Sequence, residues 1–256
     1  MKKLLLIFVV GIVIIVGALV FGVSKLGPLI KTAVNTYGPK LTKTELSLGD
    51  VSISILSGKA ELKDFFLGNP KGFTSSEAMK VGSIFIDIDE KSITSDTIVI
   101  HTIEVIAPAI TYEKTRGADN FKTIMNNVSS ASKQAGSQKD ASSKEPSSGS
   151  GKKMIIEDFL LKQGTVTLAT SLTGGTSIRA RLPDITMKNI GGTGASPQQV
   201  AEEIFKAVYK EITSRAVTDS LNQGLKEFGK SLGTVGEDAK NQAEGLKETF
   251  KGVFGK

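Results

Sequence analysis

Ile84-Phe85-Ile86-Asp87-Ile88-Asp89 alternates without a slip, with three isoleucines on one side and Phe85, Asp87 and Asp89 on the other. A period of two is that of a strand with one dry face and one wet face. Upstream the same rhythm starts at Leu46 and Leu48. It continues through Val51, Ile53 and Ile55 with serines between them, then through Ala60 and Leu62 after a turn at Ser57-Gly58. Downstream, residues 97–112 form another run that holds Ile98 and Ile100. Pro108 interrupts it, and a residue without an N–H predicts an edge or a break there. Turn signals recur about every ten residues, the spacing of an antiparallel meander.

Residues 129–153 contain nine serines, scattered Lys and Gly, Pro146 and no large apolar residue. Such a stretch cannot bury enough surface to offset the entropy of ordering it, so it predicts a flexible linker or long loop. Alternation resumes beyond it. Phe159 and Leu161, a turn at Gln163-Gly164, then Val166 and Leu168 suggest one hairpin. Ile178, Ala180 and Leu182 followed by Ile185 and Met187 suggest another, after Gly174-Gly175.

Helix is expected from Ser196. Ser196-Pro197-Gln198-Gln199 supplies an N-cap, a proline at the first helical position and a capping-box glutamine. Val200, Ile204, Val208 and Ile212 then share one face. A second stripe runs through Leu221, Leu225, Phe228, Leu232, Val235 and Ala239 to Leu246, Phe250 and Val253 or Phe254. Seven glycines after residue 220 weaken this helix in isolation. It needs a surface to form against.

The N-terminus is of another kind. Leu4–Val23 is an uncharged apolar run of 20 residues, about 30 Å as a helix, which matches a bilayer core. The run is too long for the apolar core of a cleaved signal peptide, and Val20-Phe21-Gly22 is a poor cleavage site, so an uncleaved signal-anchor is favoured. The net charge of +6 sits around it. Residues 1–44 carry six lysines and no acid, and the rest of the chain is balanced. Lys2 and Lys3 beside the apolar run favour a cytoplasmic N-terminus with the bulk exported. A charge excess confined to that flank suits anionic lipid headgroups, and with only four arginines nucleic-acid binding is not expected.

The side chains of catalysis are scarce. The chain has no Cys and one His, which excludes disulfides, thiolate chemistry and multi-His metal sites. His101 lies in an Ile-rich strand with no G-x-S-x-G nucleophile motif anywhere, and reads as a strand histidine satisfied locally. Asp87, Asp89 and Glu90 read as the wet edge of their strand rather than as a metal site. Gly191-Gly192-Thr193-Gly194 lacks a Walker lysine and the G-x-G-x-x-G spacing, and reads as a flexible strand-to-helix turn. No cofactor is implied.

Residues 46–128 resemble the N-terminal part of the AsmA family, bacterial inner-membrane-anchored proteins with a large exported β domain. Leu48-Gly49-Asp50-Val51-Ser52-Ile53 opens the resemblance, and Gly58-Lys59-Ala60-Glu61-Leu62-Lys63-Asp64-Phe65 continues it. Leu67-Gly68-Asn69-Pro70-Lys71-Gly72-Phe73, the Ile84 strand and Ile106-Ala107-Pro108-Ala109-Ile110-Thr111-Tyr112-Glu113 follow. Gly117-Ala118-Asp119-Asn120-Phe121 closes it, with Ile124 after. The resemblance implies a β-groove, a strongly curved sheet with an apolar concave face. The larger relatives are implicated in phospholipid movement between two membranes and in outer-membrane assembly. This chain is several times shorter, which speaks against conduction and leaves lipid binding or a structural role.

The expected architecture is therefore α+β. A transmembrane signal-anchor covers 1–24, a β region 25–128, a flexible linker or loop 129–153, the rest of the β region 154–195 and amphipathic helices 196–256. The expected protein is non-enzymatic and crosses the inner membrane once, with its bulk in the periplasm. Its ligand would be phospholipid or another acyl chain, lined by Ile53, Ile55, Leu62, Ile84, Ile86, Ile88, Ile98, Ile100, Val166 and Leu168. Two alternatives stay open. Those residues pack as an ordinary core against the 196–254 helices, or the protein is a scaffold whose C-terminal helices bind a partner, a membrane surface or a second copy.

Overall fold

The structure is a computed structural model and describes residues 26–54, 57–115, 118–136, 153–169 and 177–233. The apolar run over residues 4–23 lies outside the described residues, and no helix among them is long and apolar enough to cross a membrane. The described chain is α+β, a large and mostly antiparallel sheet with four helices.

Helix α1 (Leu26–Thr42) leads into β1 (Leu46–Ser47), β2 (Asp50–Ser54), β3 (Lys59–Gly68) and β4 (Glu77–Ile88). A short 3-10 turn (Glu90–Thr94) precedes β5 (Thr97–Ile106) and β6 (Ala109–Glu113). Helix α2 (Asn120–Gly136), β7 (Lys153–Lys162), β8 (Thr165–Ala169), β9 (Ile178–Arg181) and β10 (Ile185–Ala195) follow. Helices α3 (Pro197–Ile212) and α4 (Arg215–Gly233) complete the described chain.

The ten strands are six longer strands, most of them broken once. β5 and β6 keep one register on β4 from Asp87 opposite Thr102 through Ser83 opposite Ile106 to Lys80 opposite Ala109, and it shifts by one at Ile88, opposite Ile100. β7 and β8 run parallel to them at a constant offset, from Thr97 opposite Lys153 to Glu113 opposite Ala169. β9 and β10 continue one another against β8 and β7, Arg181 opposite Thr165 and Ile185 opposite Leu161. β1 and β2 likewise share one register on β3.

Pairing lapses in every one of them at the same level. The interruptions are Leu48-Gly49, Asp64, Gly82, Ala107-Pro108, Gln163-Gly164 and Leu182-Pro183-Asp184. Asp64, Ala107 and Gln163 hold positive φ there. The freed backbone groups find partners along the line. Ala107 N donates to Lys162 O at 2.9 Å, Thr165 N to Pro108 O at 2.9 Å and Leu182 N to Gly164 O at 2.8 Å. Asp184 Oδ1 takes Gln163 N at 2.9 Å. Pro108 thus marks a break and not an edge, because β6 has neighbours on both sides.

A second line crosses three strands: β5 bulges against β4 at His101, and pairing lapses beside it at Glu157 and at Asn189, the last with φ of 52°. A bulge inserts one residue and shifts the alternation by one. The buried positions therefore run Ile98, Ile100, then Val105, Pro108, Ile110 and Tyr112 in β5–β6, and Met154, Ile156, then Phe159, Leu161, Val166 and Leu168 in β7–β8. Two-residue steps become three-residue steps at each line, so one face stays apolar along the whole length.

Several expectations change. Gln163-Gly164 and Leu182-Pro183 are breaks within strands that run straight on, not hairpin turns, because both halves keep their registers on the neighbouring strands. β7 joins β5 in parallel, so the meander stops at β6 and the chain crosses over through α2. The Ser-rich stretch expected as linker is helical as far as Gly136, and residues 26–42 of the expected β region form α1. Gly191–Gly194 is the bulged end of β10 rather than a free turn. Gly191 has φ of 84°, and a Cβ there would lie 2.5 Å from Met154 O, so only glycine suits the position.

Candidate functional site

The inner face of the sheet is built in rows across the strands. One row reads Ile53, Ala60, Ile86, Ile103, Phe159 and Met187, and the next reads Val51, Leu62, Ile84, Val105, Leu161 and Ile185. Helices cover this face from its flanks. On one side α1 packs on β1 and β2, with Ile30 against Leu48 and Val51. On the other, α3 packs on β10 and β7 and α4 on β9. There Val200, Val208, Ile212, Val217, Leu221 and Leu225 join the main core. The apolar stripes foreseen on these helices up to Leu225 are thus occupied by the sheet.

The described part of the expected lining set lies on this face, but not in one environment. Ile88, Ile98, Ile100, Val166 and Leu168 are core residues, Val166 at 0% exposure. Ile53, Leu62, Ile84 and Ile86 are half-buried, and Ile55 lies outside the described residues. Ile103 and Met187 belong with the half-buried group. Sequence reading passed over Ile103 for a physical reason. The bulge at His101 puts it out of phase with Ile98 and Ile100, and nothing in the residue types marks that bulge.

Polar groups near the face are fully engaged. Asn69 and Asn120 meet: Asn120 Nδ2 donates to Asn69 Oδ1 at 2.7 Å and to Thr111 O at 2.7 Å. Asn69 Nδ2 reaches Ser75 O and Glu77 O. The buried Glu113 carboxylate accepts from Thr74 N at 2.7 Å, Thr74 Oγ1 at 2.8 Å and Ser75 N at 2.9 Å, with the Ser75 hydroxyl as a fourth donor. Burial pushes its pKa up, but those donors from Ser75 and Thr74 outweigh it and leave the carboxyl below its ordinary value. Asp119 caps α2 by accepting from Lys122 N at 2.7 Å and takes the Tyr209 hydroxyl at 2.9 Å, tying α3 to α2. Burial first, and Asp119 second, raise the Tyr209 phenol to about 12.

The outer face carries the other polar candidates. His101 Nδ1 lies 2.8 Å from Glu157 Oε2, both side chains about half exposed, and among the described residues no hydroxyl is its partner. Asp89 accepts from Lys91 N at 3.0 Å and caps the 3-10 turn. These are local structural contacts. No group of three His, Cys, Asp or Glu side chains that could hold a metal occurs among the described residues.

No protein-family model matches the chain, nor does any curated protein or solved structure.

Proposed function

We propose that this chain is an inner-membrane-anchored, non-enzymatic envelope protein of the AsmA type that holds an acyl chain along the inner face of its sheet. The observation that carries the proposal is the half-buried strip of Ile53, Leu62, Ile84, Ile86 and Ile103, which runs from the edge strand β2 to β5 across an otherwise covered apolar face, around the buried Ala60. An ordinary core buries its central rows most deeply. Here α1 packs on β1 and β2, α3 on β10 and β7 and α4 on β9, while Leu62, Ile84, Ile86 and Ile103 on β3, β4 and β5 stay half-buried. Lines of bulges and left-handed residues are the means by which a sheet is bent, which favours a groove over a flat layer. Helix α2 meets α1 at one end, where Asn127 Nδ2 donates to Thr42 O at 2.8 Å.

The chemistry of the strip selects the ligand. It is aliphatic, and from β2 to β5 it spans three strand spacings, roughly 14 Å. Each methylene buried there contributes about 0.8 kcal/mol, so six give roughly 5 kcal/mol before ordering costs. Acyl chains suit it better than stacked rings. A scaffold role through α3 and α4 finds less support, since their apolar faces up to Leu225 already meet the sheet; the stripe from Val235 to Phe254 lies outside the described residues. Native mass spectrometry of the full chain released from detergent tests the proposal. Co-purified lipid that is lost in Ile86→Asp is expected, and a lipid-free wild type overturns it.

A further inference from the structure

The outer face of the sheet is charged, and its cations are mostly matched. Lys63 pairs with Glu61, Lys80 with Glu77, Lys162 with Glu104, Lys188 with Asp158 and His101 with Glu157. Among the described residues Lys59 on β3 and Lys153 on β7 stand singly without an ion pair, and one corner brings two such cations together. Arg179 and Arg181 are exposed on the outer side of β9, while Ile178 and Ala180 between them turn to the core. Their cross-strand neighbours are Thr167 and Thr165 in place of carboxylates. Among the described residues no carboxylate lies within 4 Å of either guanidinium.

The surrounding sequence strengthens the contrast. From Phe159 to Pro183 there is no Asp or Glu, the next carboxylate, Asp184, is engaged by Gln163 N at 2.9 Å, and residues 165–177 contain seven Ser or Thr. Half of the arginines in the chain lie in this one hairpin. Arg179, Arg181 and Thr165 line a shallow depression of about 560 Å³ with Gln163, Gly164 and Ala180, at the break line of the sheet. Alternate residues on a strand are roughly 7 Å apart, close enough for two guanidinium forks to share one tetrahedral oxyanion. Hydroxyls beside them add neutral donors without competing charge.

We infer that Arg179, Arg181 and Thr165 form a binding site for a phosphate group, either free phosphate or the phosphodiester of an anionic lipid headgroup. The site is on the face opposite the acyl-chain strip, so it does not depend on that strip. It gives the β8–β9 corner of the sheet a contact to anions that the paired lysines elsewhere do not supply.

Side-chain Nε–Hε resonances of the full chain in non-ionic detergent test this directly, because four arginines give few signals. The probes are inorganic phosphate, dihexanoyl phosphatidylglycerol and dihexanoyl phosphatidylcholine. Arg179 and Arg181 should shift saturably while Arg116 and Arg215 do not. A response to inorganic phosphate and phosphatidylglycerol alike assigns a general phosphate site, and a response to phosphatidylglycerol alone assigns a headgroup site. Followed through the backbone amides of Thr165 and Ala180, which the variants keep, R179Q/R181Q should weaken binding roughly thirty-fold, the loss expected for two surface charges. R179K/R181K, which keeps the charge and loses the forks, should fall between it and the wild type. Ile86→Asp should leave the response intact. The inference is overturned if neither arginine shifts, if all four shift together in step with ionic strength, or if R179Q/R181Q binds as the wild type does.

Discussion

Ala107 and Gln163 stand side by side on parallel strands, and both turn their backbones into the left-handed region, with φ of 48° and 58°. Neither is glycine, and Ala107 N reaches across to Lys162 O at 2.9 Å. A line that breaks six strands together is a property of the sheet, because each strand must bend where its neighbour does.

Ala107→Gly and Gln163→Gly should therefore each stabilise the protein by about 0.5–1 kcal/mol. The left-handed conformation costs an L-residue about 1–2 kcal/mol, and glycine returns part of that as unfolded-state entropy. Urea unfolding of the two variants checks it. Loss of stability in both would show that the positive φ values are not held in solution.

Ile86→Asp and Val166→Asp should behave differently although both sit on the apolar face. Val166 is fully buried, and an unpaired carboxylate there costs several kcal/mol, enough to unfold the domain. Ile86 is half-buried, so its carboxylate can stay hydrated. Thermal melts should show the first variant unfolded and the second folded. Equal loss in both would make the strip an ordinary core.

Glu113 should make the protein acid-sensitive. Its folded pKa is below the ordinary 4.5, so its contribution is complete above that value and is lost as the pH falls through the lowered folded pKa. Glu113→Gln keeps the shape but removes the charge that four donors face. It should cost about 2–3 kcal/mol at neutral pH and flatten the acid limb of the stability curve. An unchanged acid limb would place the sensitivity elsewhere.

His101 should titrate above 6.5, raised mainly by its hydrogen bond to Glu157 and further by the charges of Glu157, Asp87 and Asp89. The sign follows. Any stabilisation is present below the ordinary value and disappears as pH rises through the raised one. At this exposure it should be small in unfolding experiments but visible as an NMR midpoint. Glu157→Gln should bring the midpoint back toward 6.5, and a midpoint that does not move would remove Glu157 as its cause.

Period-two alternation over 46–113 and 154–187 determined by itself that a half-buried sheet would form, since a residue's face in a strand depends only on parity. The Ser196 capping box likewise announced α3 one residue before it starts, because the cap is a local hydrogen-bond pattern. What parity cannot carry across is a bulge. Ile98 and Ile103 share a face only because His101 is an inserted residue, and that is decided by pairing with the separate strand β4. The same holds for Gln163-Gly164. In sequence it has the composition of a turn, yet the strands on either side hold both of its flanks in register and draw the chain straight through. Whether an apolar residue becomes sealed core, like Val166, or accessible strip, like Ile86, is settled later still. It depends on where the helices come to rest on the sheet, and their resting place follows from packing between segments that meet only in the folded chain.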